Sequence, residues 1–181
     1  MRFTYRVAMG FLALLIGAGV AAAANRTINL GSVGYSVEVP DTWVQQPPEN
    51  TMRLAQFQVR SPQGQEPANV VVFYFGKGGG GSLEANVQRW ESQFTTPDGK
   101  PVKASQRKGK AAGMPVTWAE LNGNYSRGVG MGQESAAKPN QTLLAAVVET
   151  PKGNVTFHLY GPRSSVAQAR KAFEAMVASL K

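Results

Sequence analysis

Residues 69–94, NVVVFYFGKGGGGSLEANVQRWESQF, constrain the fold more than any other stretch, because a strand, a glycine hinge and a helix follow one another without interruption. Val70 to Phe75 is apolar, β-branched and aromatic, which favours a pleated backbone buried on both faces over a helix. That predicts a central strand. Gly76, Gly78, Gly79, Gly80 and Gly81 follow, and without a Cβ the backbone there takes positive φ at no steric cost, so the chain reverses easily. Ser82 is placed to cap the next helix by accepting a hydrogen bond from a free N–H, with Glu84 near the positive end of its dipole. Leu83, Val87, Trp90 and Phe94 recur at spacings of four, three and four, a single helical stripe to lay against the sheet. Asn86 and Arg89 flank that stripe. Asn86 reads as a brace at the sheet edge, Arg89 as either a brace or a contact to a partner.

The rest of the chain alternates strand and turn signals. Thr27 opens a short edge strand, and Val33, Tyr35, Val37 and Val39 alternate over a half-buried strand that Pro40 ends, with Trp43 folding back over the core edge. Met52 to Arg60 places Ala55, Phe57 and Val59 on one face and Gln56 and Gln58 on the other, an antiparallel partner for Val70 to Phe75. After the turn signal TTPDGKP come Val102 to Lys108 and Val116 to Tyr125, then Leu143 to Val148 and Val155 to Tyr160 around PKGN. Residues 126–140, SRGVGMGQESAAKPN, lack an apolar period and are longer than most connections, which marks them as either mobile or functional, with mobility expected. Ser164 or Ser165 starts a final helix with Val166, Ala169, Phe173, Val177 and Leu180, supported by Met176, on its apolar face. The expected class is α+β: about seven antiparallel strands flanked by two amphipathic helices.

The segment FYFGKGGGGSLEANVQRWESQF resembles secreted bacterial proteins of PsbP-like fold, and YSVEVPDTW, from Tyr35 to Trp43, resembles the first strand and turn of PsbP and DcrB relatives. The resemblance covers most of the chain after the leader. It implies an antiparallel sheet sandwiched by helices, an α/β/α arrangement used mostly by accessory or binding modules. It carries no catalytic motif and no site.

Residues 1–24 have the pattern of a secretory signal peptide: Arg2 and Arg6 in the charged start, Val7 to Val20 apolar, and an alanine exit at Ala21 to Ala24. Cleavage after Ala23 or Ala24 is expected, leaving one domain over residues 25–181; an uncleaved anchor over Val7 to Ala24 is the alternative. The chain has no cysteine, so it has no disulfide, no thiol catalysis, no thiolate metal site and no lipid-bearing cysteine. Stability has to come from packing. A periplasmic or secreted bacterial protein is expected, without stable membrane insertion once the leader is gone.

The whole chain carries 19 basic and 11 acidic residues, and loss of Arg2 and Arg6 leaves 17 against 11, a net +6. Lys100, Lys103, Arg107, Lys108 and Lys110 fall within eleven residues and could face an anionic polymer, although a solvated hairpin explains them as well. They lack the interleaved aromatics that stack bases, so no nucleic-acid partner is expected. The glycine loop invites a phosphate-binding reading but fails the P-loop pattern, since Gly81 is followed directly by Ser82 and Lys77 sits at the loop's start. His158 is the sole histidine, so it cannot build a multi-histidine metal site, and it reads as a structural or surface residue. No G-x-S-x-G elbow supports a hydrolase, but a cofactor-free hydrolase using His158 with a distant serine and Asp41 or Asp98 stays open. The leading expectation is a non-enzymatic binding or accessory protein with no cofactor, meeting an envelope protein or an anionic polymer. Its candidate contacts are Gly78, Gly79, Gly80, Arg89, Lys103, Arg107 and Lys108.

Overall fold

The computed structural model describes residues 24–61, 64–126 and 137–181, with Ser32 described in its backbone alone. The expected signal peptide and most of the 126–140 connection lie outside the described residues. The strands are β1 (Asn25–Asn29), β2 (Ser36–Pro40), β3 (Val44–Gln46), β4 (Arg53–Val59) and β5 (Ala68–Tyr74), then β6 (Phe94–Thr95), β7 (Ser105–Ala111), β8 (Met114–Tyr125), β9 (Lys138–Thr150) and β10 (Gly153–Pro162). Helix α1 (Leu83–Glu91) lies between β5 and β6, and α2 (Arg163–Ala178) follows β10.

Eight strands form one sheet in the order β3-β4-β5-β10-β9-β8-β6, with β7 also pairing β8 along the edge that β6 shares. All its pairings are antiparallel. β1 and β2 make a separate two-stranded sheet. Because side chains alternate faces along a strand, β10 sends Phe157 and Leu159 into the larger core with Phe173 of α2, while Tyr160 packs against the smaller cluster of Val87 and Trp90 of α1. One helix on each face makes the expected α/β/α sandwich.

Several local expectations shift. The sheet needs more strands than seven because β3 and β6 are too short to show a period. Val33 is buried but sits in a 3₁₀ turn, Gly31–Val33, closed by Gly34 in the left-handed region (φ 65°), so β2 starts only at Ser36. Phe94 leaves the α1 stripe: the helix stops at Glu91, and Phe94 instead pairs with Tyr125 across β6 and β8. β7 begins at Ser105 because the backbone N–H of Ala104 donates to the Glu91 carboxylate (3.0 Å), which ties Val102 to Ala104 to the end of α1. β9 already begins at Lys138, inside the expected connection. Neither Ser164 nor Ser165 caps α2, whose cap is Pro162; Ser165 Oγ donates to the Glu66 carbonyl (2.7 Å) and holds the β4–β5 connection.

The expected cap on α1 is present, with Ser82 Oγ accepting from the N–H of Ala85 (3.1 Å). The glycine loop before it uses positive φ at Gly76, Gly78, Gly80 and Gly81. Gly79 is required for a different reason: a Cβ there would run into the carbonyl oxygen of Phe75.

Candidate functional site

Helix α1 is short, nine residues against sixteen in α2, and it packs on the β8 side of the sheet. The neighbouring part of that face, formed by β4, β5 and β10, borders a cavity of about 470 Å³. Val71 and Phe73 reach it from β5, His158 and Tyr160 from β10 and Leu143 from β9, while Arg89 and Trp90 of α1 and Arg53 of β4 form its walls. Glu66 and Lys138 also line it and pair with each other at 2.7 Å.

His158 sits at the meeting point of these groups. Its ring lies edge-on to Phe73 (5.1 Å between centroids, 63°) and to Trp90 (5.0 Å, 83°). Phe73 in turn stacks on Phe75 (6.1 Å, 7°), so four rings run in a line from α1 to the glycine loop. His158 is half-buried as a residue, but its Nε2 is enclosed and has no hydrogen-bond partner. Burial disfavours the imidazolium, and the positive charges of Arg89 and Arg53 add to the effect, so the pKa falls to about 3. The ring is therefore neutral at ordinary pH.

Arg53 donates from Nη1 to Gln56 Oε1 (2.7 Å), pairs through Nη2 with Glu49 (2.9 Å), and lies 5.7 Å from the centre of the Phe73 ring. Its Nε is enclosed and has no partner. Arg89 Nη2 donates to Asn86 Oδ1 (2.6 Å), and Asn86 Nδ2 donates to the carbonyls of Gly80 (2.7 Å) and Ser82 (2.9 Å). Asn86 thus braces the glycine loop rather than the sheet edge, and it also ties the loop to Arg89.

Of the binding contacts expected from the sequence, Arg89 lines this cavity and the others lie elsewhere, while His158, named only for the alternative hydrolase, lines it too. Gly78, Gly79 and Gly80 form the turn beside Phe75. Lys103 pairs with Glu91 (2.8 Å), and Arg107 pairs with Glu174 of α2 (2.7 Å) while lying 4.4 Å over the Trp118 ring. Lys108, next along β7, is exposed and points to the opposite face. The basic run is therefore split between two faces and partly neutralised. Among the described residues β7 pairs only with β8, and lysines on such an edge discourage the addition of a foreign strand.

The partners named for a hydrolase are not gathered. Asp41 lies near Arg26 (3.6 Å), Asp98 is paired with Lys100 (2.7 Å), and no serine lines the cavity among the described residues. Nor do three His, Asp or Glu side chains come together as a metal site among those residues.

The sequence reading missed Arg53, Phe73 and Tyr160 as parts of one site. The available signal was the face opposite the main core: Asn69, Val71 and Phe73 on β5, and His158 and Tyr160 on β10, are not the aliphatic run that a sealed face would show.

An antiparallel sheet in this order between two helices defines the PsbP fold, and the chain has it. It is similar to cyanobacterial PsbP (CyanoP) from Synechocystis, with a TM-score of 0.54 and 13% identity over 90% of this chain and 95% of that one. It is also similar to the Saccharomyces cerevisiae Ran-binding protein Mog1p (TM-score 0.54, 10% identity, 88% and 96% covered). LpqN of Mycobacterium tuberculosis, a protein involved in cell envelope biogenesis, matches at a TM-score of 0.50 and 14% identity, covering 87% of this chain and 90% of that one. At such identities the likeness is one of fold. The sequence matches no family model and no curated protein.

Proposed function

We propose that the protein is an exported, non-enzymatic binding or accessory protein of the bacterial envelope, and that it binds in the cavity beside α1. The observation that carries this reading is the cavity itself, bordered among the described residues by the guanidiniums of Arg53 and Arg89, the His158 ring and the rings of Phe73 and Trp90. A concave pocket with apolar and aromatic walls and a few convergent polar groups is the usual form of a binding site. Binding fits better than catalysis because an imidazole held neutral by burial and two guanidiniums is a poor base, with no serine lining the cavity among the described residues. The leader-like residues 1–24 support export, and the fold shared with LpqN is compatible with an envelope role. No described helix is long and apolar enough to cross a membrane.

Capture of partners from native envelope extract tests the site, comparing the wild type with an Arg53→Gln/Arg89→Gln double variant and with Lys108→Glu. A partner lost by the double variant and kept by Lys108→Glu supports the cavity. The reverse pattern moves the site to the basic run. Mass spectrometry of the exported protein should find its N-terminus near Asn25, and a chain still beginning at Met1 in the membrane overturns the cleaved, soluble form.

A further inference from the structure

We infer that the cavity takes a small molecule with one anionic head group on an aromatic or similarly planar apolar body, the head held by Arg53 and Arg89 and the body laid against Phe73 and Trp90. The inference rests on the cavity being the binding site and adds the chemistry of its occupant.

Among the described residues the charge of the lining is unbalanced. Arg53, Arg89 and Lys138 border the cavity with one described carboxylate, Glu66, and Lys138 already takes that carboxylate. Arg89 is bonded to a neutral amide, which leaves its charge uncompensated by that contact. Arg53 has a counterion in Glu49, but Glu49 is 56% exposed and does not line the cavity, and the Nε on the other side of the guanidinium has no partner. A carboxylate, phosphate or sulfonate suits two guanidiniums because its oxygens accept several N–H bonds at once, each strengthened by charge. Arg53 and Arg89 line the same cavity, which the His158 ring also borders.

The body of the ligand follows from the walls. Phe73, Trp90 and His158 all line the cavity, with the His158 ring edge-on to the other two, so an aromatic wall borders the space a planar group would fill. A cavity of about 470 Å³ is in the range of small-molecule pockets. An extended polymer would need an open groove instead.

Two fluorescent probes separate the elements of this inference. 1-Anilinonaphthalene-8-sulfonate and N-phenyl-1-naphthylamine share the aromatic body, and only the first carries an anion. The sulfonate should bind the purified exported protein at one site, about tenfold or more tighter than the neutral amine, the worth of one charge-assisted contact. Arg53→Gln and Arg89→Gln should each weaken the sulfonate about fivefold or more and leave the amine within about twofold. Arg89 is exposed, so Arg89→Gln keeps the fold and decides the matter if Arg53→Gln is unstable. His158, as the sole histidine, supplies one assignable imidazole signal in NMR. Burial holds its titration down, and the charges of Arg89 and Arg53 add to that. An anion beside the two arginines offsets the second cause, so the His158 midpoint should rise on saturation; Glu66, Lys138, Tyr125 and Tyr160 are the other titratable groups lining the cavity among the described residues. Displacement of the sulfonate by 1-naphthoate or by 1-naphthyl phosphate supports the proposal, and their order names the head group.

Equal affinity for the two probes, unchanged by either arginine substitution, overturns the anionic head and leaves the cavity as an apolar site. Failure of both probes to bind or to move the His158 signal overturns the cavity as a binding site altogether.

Discussion

The two faces of the eight-stranded sheet are built from alternate residues of the same strands, yet they have different fates. The α2 face is closed: Phe57, Phe157 and Phe173 are fully buried there, and Trp118 meets Phe173 edge-on. The α1 face is closed only beside β8 and β9, where Val87, Trp90, Ala119 and Leu121 pack together. Toward β5 and β10 the same face carries Phe73, His158 and Tyr160 around a cavity. The difference comes from helix length. Sixteen residues, about 24 Å of helix at roughly 1.5 Å each, reach further across a sheet than nine.

The sharpest break of that contrast is in the cores. Phe173→Ala should cost about 3 to 5 kcal/mol in chemical denaturation, because the side chain is fully buried and the hole left behind cannot collapse completely. Phe73→Ala, at a half-buried ring bordering existing space, should cost about half as much. Trp90 stands at the boundary and is buried, so Trp90→Ala should resemble Phe173→Ala while the exposed neighbour Arg89→Ala changes little. Equal losses at Phe173 and Phe73 would mean that the second face is sealed after all.

A smaller effect is specific to the open face. The folded His158 pKa of about 3 lies below its ordinary 6.5, so as pH falls the unfolded chain takes up the proton first. The stabilisation is complete above about 6.5 and is lost progressively down to about 3, at roughly 1.4 kcal/mol per pH unit. Between pH 6.5 and 5 the wild type should lose about 2 kcal/mol that His158→Gln does not lose. Parallel pH profiles for the two proteins would refute a buried neutral ring.

Glycine substitutions extend the comparison to the loops. Gly79→Ala should cost about 1 to 3 kcal/mol, since the new Cβ meets the Phe75 backbone. Gly109→Ala on β7 meets only Val116 at an ordinary 3.7 Å and should be neutral or stabilising by about 0.5 kcal/mol. Thermal melts of the two variants read the difference.

The least stability change is expected at the basic run. Reversing Lys103 and Lys108 should move stability by under about 0.5 kcal/mol, because exposed pairs contribute little. If this run does meet an anionic polymer, capture should weaken with salt, which screens exposed charges within about 10 Å at 0.1 M, and should weaken further with Lys103, Arg107 and Lys108 reversed together. Indifference to both treatments removes the polymer from consideration.

Much of the architecture was readable because its causes are local. The alternation of Ala55, Phe57 and Val59, the glycines before Ser82 and the stripe through Phe173 each express themselves within one turn or one strand. Val33 misled because burial and extended backbone were taken together, and a residue in a 3₁₀ turn satisfies the first without the second. The basic run looked like one patch because residues adjacent in sequence, Arg107 and Lys108, emerge on opposite faces of a strand. The cavity was not legible for a different reason. It depends on how far α1 extends over the sheet and on bringing Arg53, Arg89 and His158 together from three separate elements.

The position of β10 also bears on how the molecule comes together in time. On one side of it β3, β4 and β5 form one antiparallel meander, and on the other β9, β8, β7 and β6 form a second. No ladder joins these halves except β10, which pairs β5 along one edge and β9 along the other. Each half has hairpins that close over short loops, but joining them fixes pairings as distant as Asn69 with Tyr160. Such non-local closure is slow, typically milliseconds to seconds in sheet-dominated domains. Arg53 and Phe73 belong to the first half and Leu143 and Tyr125 to the second, so the cavity exists only where β10 has joined β5 to β9.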